Sequence, residues 1–208
     1  MVEILQFNPK VEIPIMEYFY SLQGEGYYAG RPAYFIRLAG CNVGCSWCDV
    51  KESWEAKTEQ LHDINTVVHK CVTSNTNFVV ITGGEPAMYD ISFLVKALKE
   101  KGIEVAIETS GAYTLIGEID WYCFSPKKFK FPIEEAYQKA NELKVIISNK
   151  SDLRWAEKHA DKVNKNCILY MQPEWGKRNE ITPLIIQYVK QNNKWNISIQ
   201  THKYLNIP

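Results

Sequence analysis

The chain has 208 residues, 46% of them hydrophobic, and its 24 Lys and Arg balance its 24 Asp and Glu. A chain with no net charge carries no global basic field for nucleic acid and no basic helix for a membrane surface, and no apolar run approaches the ~20 residues needed to span a bilayer. The length suffices for one sizeable core, and no low-complexity tract or Gly/Ser linker divides it, so residues 1–208 are expected to form a single domain.

The opening Met1-Val2-Glu3-Ile4-Leu5 has no positive segment followed by an apolar one, so no export signal is read there. Together with six cysteines, this makes a reducing cytoplasm the expected compartment. Residues 15–21 (Ile15 to Ser21) are rich in β-branched and aromatic types and read as a strand. The strand runs into Leu22-Gln23-Gly24-Glu25-Gly26, where two glycines either let backbone approach a ligand or make a plain tight turn. Residues 33–39 form a second strand with Arg37 inside it. An arginine in an apolar strand is either paired on an exposed face or buried to grip an anion with its planar fork.

The stretch Gly40 to Asp49 holds three cysteines in eight residues, spaced C-x3-C-x2-C at Cys41, Cys45 and Cys48. Such a loop can fold three thiolates onto one metal centre, and the lack of a fourth cysteine leaves one coordination position open for chemistry. A four-iron, four-sulfide cluster with one free iron suits this pattern. The alternative is a zinc site closed by one of His62, His69, Cys71, Cys123, Cys167 or His202, none of which forms a second tight ligand pair.

Residues 59–73 show helical spacing through Leu61, Ile64, Val67, Val68 and Cys71, which makes Cys71 a small core residue and His62 and His69 surface groups. Phe78 to Thr82 is a continuous apolar run typical of a strand covered on both faces. It ends in Thr82-Gly83-Gly84-Glu85-Pro86. Helices are expected at 90–101 with Asp90 as N-cap, near 133–142, at 151–160 with Ser151 as cap, and at 182–192. Strands are expected at 103–109, 121–125, 143–148, 167–171 and 196–201. Alternating strands and helices predict a mainly parallel sheet. Polar residues gather just past the strands, as TGGE, ETSG, SPK, QPE and QTHK. In α/β barrels the carboxyl ends of the strands share one face, where sites are built. The chain is short of the ~250 residues of a full eight-unit barrel, so the expected fold is α/β, a partial, open TIM-like barrel of about six units.

The cysteine loop followed by a strand-terminal GGEP resembles the radical S-adenosylmethionine superfamily. The stretches FYSLQGEGYYAGRPAYFIRLAGC, CSWCD, ITGGEP, ETSG, SPK and QTHKYLNIP, running from about residue 16 to the end, resemble its 7-carboxy-7-deazaguanine synthase family. This resemblance implies a [4Fe-4S] cluster on Cys41, Cys45 and Cys48, reduced by a flavodoxin- or ferredoxin-type donor. It implies reductive cleavage of S-adenosylmethionine and hydrogen abstraction from C6 of 6-carboxy-5,6,7,8-tetrahydropterin. Ring contraction and loss of ammonia then yield 7-carboxy-7-deazaguanine, on the route to queuosine and related 7-deazapurines. The small-molecule partner is therefore a pterin, and the resemblance also implies a homodimer.

Residue by residue, the resemblance implies cofactor contacts at Trp47, Cys48, Asp49, Gly83, Gly84, Glu85, Ser125, Pro126, Lys127, Gln172, Pro173, Glu174 and Trp175. A side chain at Gly84 would intrude on the methionine end, and Glu85 would either accept from the cofactor amine or brace the loop. It implies substrate contacts at Leu22, Gln23, Gly24, Glu25 and Thr82, with Arg37 on the substrate carboxylate. His202 either touches substrate or orients the tail, and the carboxylate of Pro208 folds in towards the pterin's amino edge. One position departs from the family pattern. Val50 stands where Thr or Ser often helps to bind Mg2+, so weak dependence on Mg2+ is expected. The competing readings are an activase that makes a glycyl radical on a partner enzyme, and a zinc-stabilised binding module. The first would need a surface for a protein loop; LQGEG, Arg37 and QTHKYLNIP fit a small carboxylated substrate instead.

Overall fold

The computed structural model describes residues 5–208; the segment Met1–Ile4, part of the stretch read for an export signal, lies outside them. The strands are β1 (Glu12–Leu22), β2 (Pro32–Leu38), β3 (Leu61–Asp63), β4 (Phe78–Gly83), β5 (Glu104–Thr109), β6 (Trp121–Phe124), β7 (Glu142–Ile147), β8 (Ile168–Pro173) and β9 (Trp195–Ile197). The helices are α1 (Ile64–Val72), α2 (Ser92–Lys99), α3 (Glu134–Lys139), α4 (Ser151–Ala160), α5 (Arg178–Gln191) and α6 (Thr201–Leu205). The strands make one nine-stranded sheet in the order β3-β1-β2-β4-β5-β6-β7-β8-β9. β1 is antiparallel to β2 and β3, and all the pairings from β2 to β9 are parallel.

From β2 onwards the spatial order follows the chain order. Every crossover therefore steps the same way, and the parallel strands present their carboxyl ends to one face. This is the open, mainly parallel α/β sheet expected from the sequence. Alternation along the strands divides two environments. Ile36, Leu38, Val79, Ile81, Val105, Ile107, Leu143 and Val145 join the large core, with helix residues such as Val67, Leu94, Leu98, Ala156 and Ile185. On the other face Phe35, Val80 and Ala106 form a small apolar floor with Ala33 and Phe78. Two residues further along the same strands, this face turns polar at Arg37, Thr82 and Glu108. The switch from floor to site is thus written into the strands themselves.

Several local expectations are corrected. Residues 59–73 are not one helix. Leu61–Asp63 pairs with β1 as an edge strand, and α1 starts only at Ile64, where Asp63 Oδ1 accepts from Thr66 N at 2.8 Å. Leu61 therefore does not belong to the helical face, whereas Cys71 does and is fully buried there. His62 is half-buried edge-on against Tyr18, while His69 is exposed. Neither expected cap is one: Asp90 closes a turn by accepting from Ser92 N, and Ser151 is the first helical residue, its N–H bonded to Asn149 Oδ1. The helix near 133–142 is shorter, because Glu142 already pairs as the first residue of β7. The helix at 182–192 begins earlier, at Arg178, with Pro183 inside it. The strand at 196–201 stops at Ile197, and Thr201–Leu205 turns helical.

Candidate active site

A cavity of about 260 Å³ opens over the carboxyl ends of the parallel strands. The cysteine loop forms one wall. Cys41 and Cys45 are buried and pack with Val43, against Trp47, Cys48 and Trp54. Burial pushes the Cys45 thiol up to about 11, against the pull of the Lys127 ammonium, and raises Cys41 as well. Metal binding at these thiols would release the protons that burial holds on them. Among the described residues, no three His, Cys, Asp or Glu converge as a single metal ion requires. The three thiols share one cavity wall. Of the other residues weighed as a further zinc ligand, only His202 borders this cavity. Three thiols on one wall, with no second tight ligand pair among the described residues, are a donor set that fits an iron–sulfur cluster with an open corner.

The turn after β4 presses on that loop. Gly84 N donates to Leu38 O at 3.0 Å and Glu85 N donates to Gly40 O at 2.9 Å. A Cβ on Gly84 would collide with the Gly40 carbonyl and with Cys41 Cβ, so a side chain there would intrude first on the cysteine loop. Gly83 has φ +135, and a Cβ there would run into the backbone of Leu38. Both glycines are thus demanded by the close approach of two backbones. Glu85 is 1% exposed and accepts from Ala87 N at 3.1 Å, Thr109 Oγ1 at 2.5 Å, Ser110 N at 2.8 Å and the Ser110 hydroxyl. Of its two expected roles, these contacts make the brace: Glu85 ties the loop after β4 to the loop after β5.

A charged cluster lies at the base of the cavity. The Lys144 ammonium, on a side chain 4% exposed, donates to Glu25 Oε2 at 2.5 Å and to Glu108 Oε1 at 3.1 Å. Gln200 Nε2 donates to Glu25 Oε1 at 2.8 Å. Gln23 Nε2 and Thr82 Oγ1 donate to the Glu108 carboxylate at 3.3 and 3.1 Å. Burial alone would raise the Glu25 carboxyl, but the Lys144 charge and the hydrogen bonds hold it down at about 2. Burial lowers the Lys144 ammonium, but the Glu108, Glu25 and Glu142 carboxyl groups around it outweigh that burial and hold it well above the usual lysine range. Arg37 also borders the cavity, and its Nε is paired with Glu17 Oε1 at 2.6 Å across the β1–β2 ladder. The arginine is thus paired with Glu17 and also borders the cavity.

The last turn closes the rim. Thr201 N donates to Gly24 O at 2.9 Å, and a Cβ on Gly24 would strike the His202 imidazole. Burial lowers the His202 imidazole, with Glu25 pulling the other way. Lys203 Nζ pairs with Asp49 Oδ2 at 2.6 Å and lies 5.1 Å from the centre of the Trp175 ring. Asp49 and Trp175, both expected at the cofactor, are thus held to α6. Pro208 O accepts from Ser21 Oγ at 2.8 Å, which sets the last residue at the rim. Lys127 Nζ donates to Ser125 Oγ at 2.5 Å and sits 5.5 Å from the Trp47 ring centre; its burial lowers the ammonium.

Every residue expected from the sequence borders this cavity except Pro126, which is buried beside it. Leu22, Gln172, Pro173, Glu174 and Val50 are all in its lining. Missing from the sequence expectation were Glu108, Lys144, Gln200 and Trp54. Lys144 had a signal, being a lone cation in the apolar strand Leu143 to Ile147, like Arg37 in its own. Glu108 had the first position of ETSG. Gln200 had the first position of QTHK, and Trp54 carried no signal.

A model of the radical SAM superfamily matches residues 35–121. A 7-carboxy-7-deazaguanine synthase of Flavobacterium psychrophilum is 54% identical over 94% of this chain and 93% of its own length. That of Synechocystis is 47% identical over 95% of this chain and 94% of its own. The crystal structure of QueE from Escherichia coli is similar with a TM-score of 0.81 and 32% identity, covering 92% of this chain and 95% of that one.

Proposed function

Since the chain belongs to the 7-carboxy-7-deazaguanine synthase family, within the radical S-adenosylmethionine superfamily, we propose that its cavity performs that family's reaction, from 6-carboxy-5,6,7,8-tetrahydropterin to 7-carboxy-7-deazaguanine with loss of ammonia. The chain is a radical enzyme of 7-deazapurine biosynthesis. The observation that carries the assignment of the site is that the three thiols, the Gly83-Gly84 turn and the Glu25–Lys144–Glu108 cluster line one cavity.

Cys41, Cys45 and Cys48 would hold the [4Fe-4S] cluster. Together with S-adenosylmethionine, the bound cluster supplies the radical that abstracts hydrogen. Trp47, Asp49, Ser125 to Lys127 and Gln172 to Trp175 surround the same wall and would seat the cofactor, with Gly83 and Gly84 keeping its approach open. Glu85 acts through the two loops it ties. Substrate would lie over the charged cluster. Lys144 keeps Glu25 ionised beside Glu108, and two such acceptors suit the N–H edge of an aminopyrimidine ring. The terminal guanidinium nitrogens of Arg37 would take the substrate carboxylate, leaving Nε on Glu17. Leu22, Gln23, Gly24 and Thr82 would border the ring, and His202 and Pro208 would close the rim over it. Holding both partners in one shielded place is the protein's main contribution to rate.

The remaining features belong to the same proposal. The whole chain acts as one domain, pairs as a homodimer, and takes electrons from a flavodoxin- or ferredoxin-type donor in a reducing cytoplasm. No helix of the described residues is long and apolar enough to cross a membrane. Val50 offers no side-chain oxygen, so Mg2+ would rest on substrate, water and backbone oxygens. The test is anaerobic reconstitution followed by incubation with reductant, S-adenosylmethionine and the tetrahydropterin. A ring-contracted product is expected. Its absence from a protein that cleaves S-adenosylmethionine would overturn the substrate assignment. A colourless protein holding one zinc would overturn the cluster.

A further inference from the structure

Trp54 lies outside the cysteine motif, yet it touches both ends of it. Its indole Nε1–H donates to Cys48 Sγ at 3.4 Å. Its backbone carbonyl accepts from Cys41 N at 3.0 Å, and the preceding carbonyl, of Ser53, accepts from Gly40 N at 2.7 Å. The short 3-10 turn Lys51–Trp54 is thus folded back under the loop, with the buried Ser53 hydroxyl bonded to Val50 O at 2.7 Å. Among the described residues, Cys48 is the one thiol of the three that a side-chain donor reaches. The indole ring also packs against the loop. A packing role alone would not aim the single polar atom of the ring at a ligand sulfur.

We propose that Trp54 is a positioning residue that sets the reduction potential of the cluster through its hydrogen bond to the Cys48 thiolate. The inference rests on the family reading of the site. Reduction adds one negative charge to the cluster and its sulfurs. A donor fixed on one sulfur stabilises that more negative state more than the oxidised one, and hydrogen bonds to the sulfurs are one of the levers that set such potentials. The bond therefore raises the potential and makes the one-electron entry step easier for a given donor. The backbone bond to Cys41 N keeps the indole in register with the loop.

The test is potentiometry of the anaerobically reconstituted full chain, with the reduced cluster followed by EPR in the absence of cofactor and substrate. Trp54→Phe keeps the ring and loses the donor. It is expected to retain its iron and to show a reduced-to-oxidised ratio about tenfold lower at a fixed potential, which is about 59 mV for a one-electron couple. Trp54→His, which carries a ring N–H, is expected to recover part of that shift. A Trp54→Phe protein with its iron and the parent's midpoint overturns the proposal. Loss of iron from both variants overturns it as well, since Trp54 would then only hold the loop. If the parent chain itself takes up no four-iron cluster, the family reading falls first. If the parent has a reducible cluster and makes no product, the substrate assignment falls and the Trp54 result stands.

Discussion

Replacing Lys144 with Met keeps the aliphatic stem and deletes the charge that two carboxylates share. In the parent, Glu25 titrates at about 2 instead of 4.5: burial raises it, and the Lys144 charge and hydrogen bonds outweigh that burial. The difference is on the order of 3 kcal/mol in favour of the folded state at pH 7. For a depressed carboxyl, that contribution is complete above pH about 4.5 and is lost as pH falls towards 2. In Lys144→Met the burial remains as the largest influence on Glu25, opposed by the Gln200 and Gln172 hydrogen bonds alone, with the Glu108 carboxylate nearby. Stranding a buried charge in this way costs about 3–5 kcal/mol, or roughly 10 °C in Tm for a chain of this size. The assay is urea unfolding of the metal-free protein at pH 7 and pH 5, read by tryptophan fluorescence. The variant is expected to be less stable at pH 7, with the gap narrowing at pH 5. Burial then holds Glu25 above its ordinary value, so protonation relieves the variant while the parent pair stays ionised. Adding Glu25→Gln to Lys144→Met is expected to recover part of the loss. A variant within about 0.5 kcal/mol of the parent at pH 7, or a loss equal at both pH values, would refute the reasoning.

Three further outcomes are expected. His159 is packed against Trp155 and Tyr137, and burial lowers its imidazole from 6.5 to about 4. Its stabilisation is therefore full above pH about 6.5 and is lost as pH falls to 4, on the order of 3 kcal/mol; His159→Gln should flatten that part of the stability–pH curve, and equal slopes would exclude His159 as its source. Glu85→Ala leaves two backbone N–H groups and two hydroxyls without their buried acceptor, at a cost of about 3 kcal/mol or more. Iron uptake should fall with it because the loop against Gly40 loosens, and full iron content at unchanged stability would contradict the brace. Activity should respond only weakly to added Mg2+, since Val50 has no side-chain oxygen; a strict requirement after chelation would show that other ligands suffice.

Much of this protein can be read in one dimension because its chemistry is local there. Three thiols within one loop, two adjacent glycines and a strand-terminal turn need only a few residues each, and their spacing expresses their purpose. The apolar run Phe78 to Ile81 announced a strand covered on both faces, which is how β4 lies in the sheet. Alternation of strands and helices led to an open parallel sheet, since parallel neighbours require crossovers. Helix edges were less legible. Leu61 to Asp63 has a pattern compatible with the helix that follows, and only the free edge of β1 draws it into the sheet.

The charged cluster was decided by tertiary structure alone. Glu25, Glu108 and Lys144 lie on separate segments, and nothing local marks them as partners. The sheet brings them together because β5 and β7 flank β6: Glu108 is level with Cys123 and Cys123 with Glu142, and Lys144 lies two residues further along β7, on the same face. Trp54 is similar: six residues beyond Cys48 it looks like any surface aromatic, until the 3-10 turn folds its indole back to the thiol. Ligand identity is thus a property of sequence, because coordination depends on which atoms a residue carries. Ionisation and potential are properties of the folded chain, because they depend on which charges and dipoles come within a few ångströms after water has been removed.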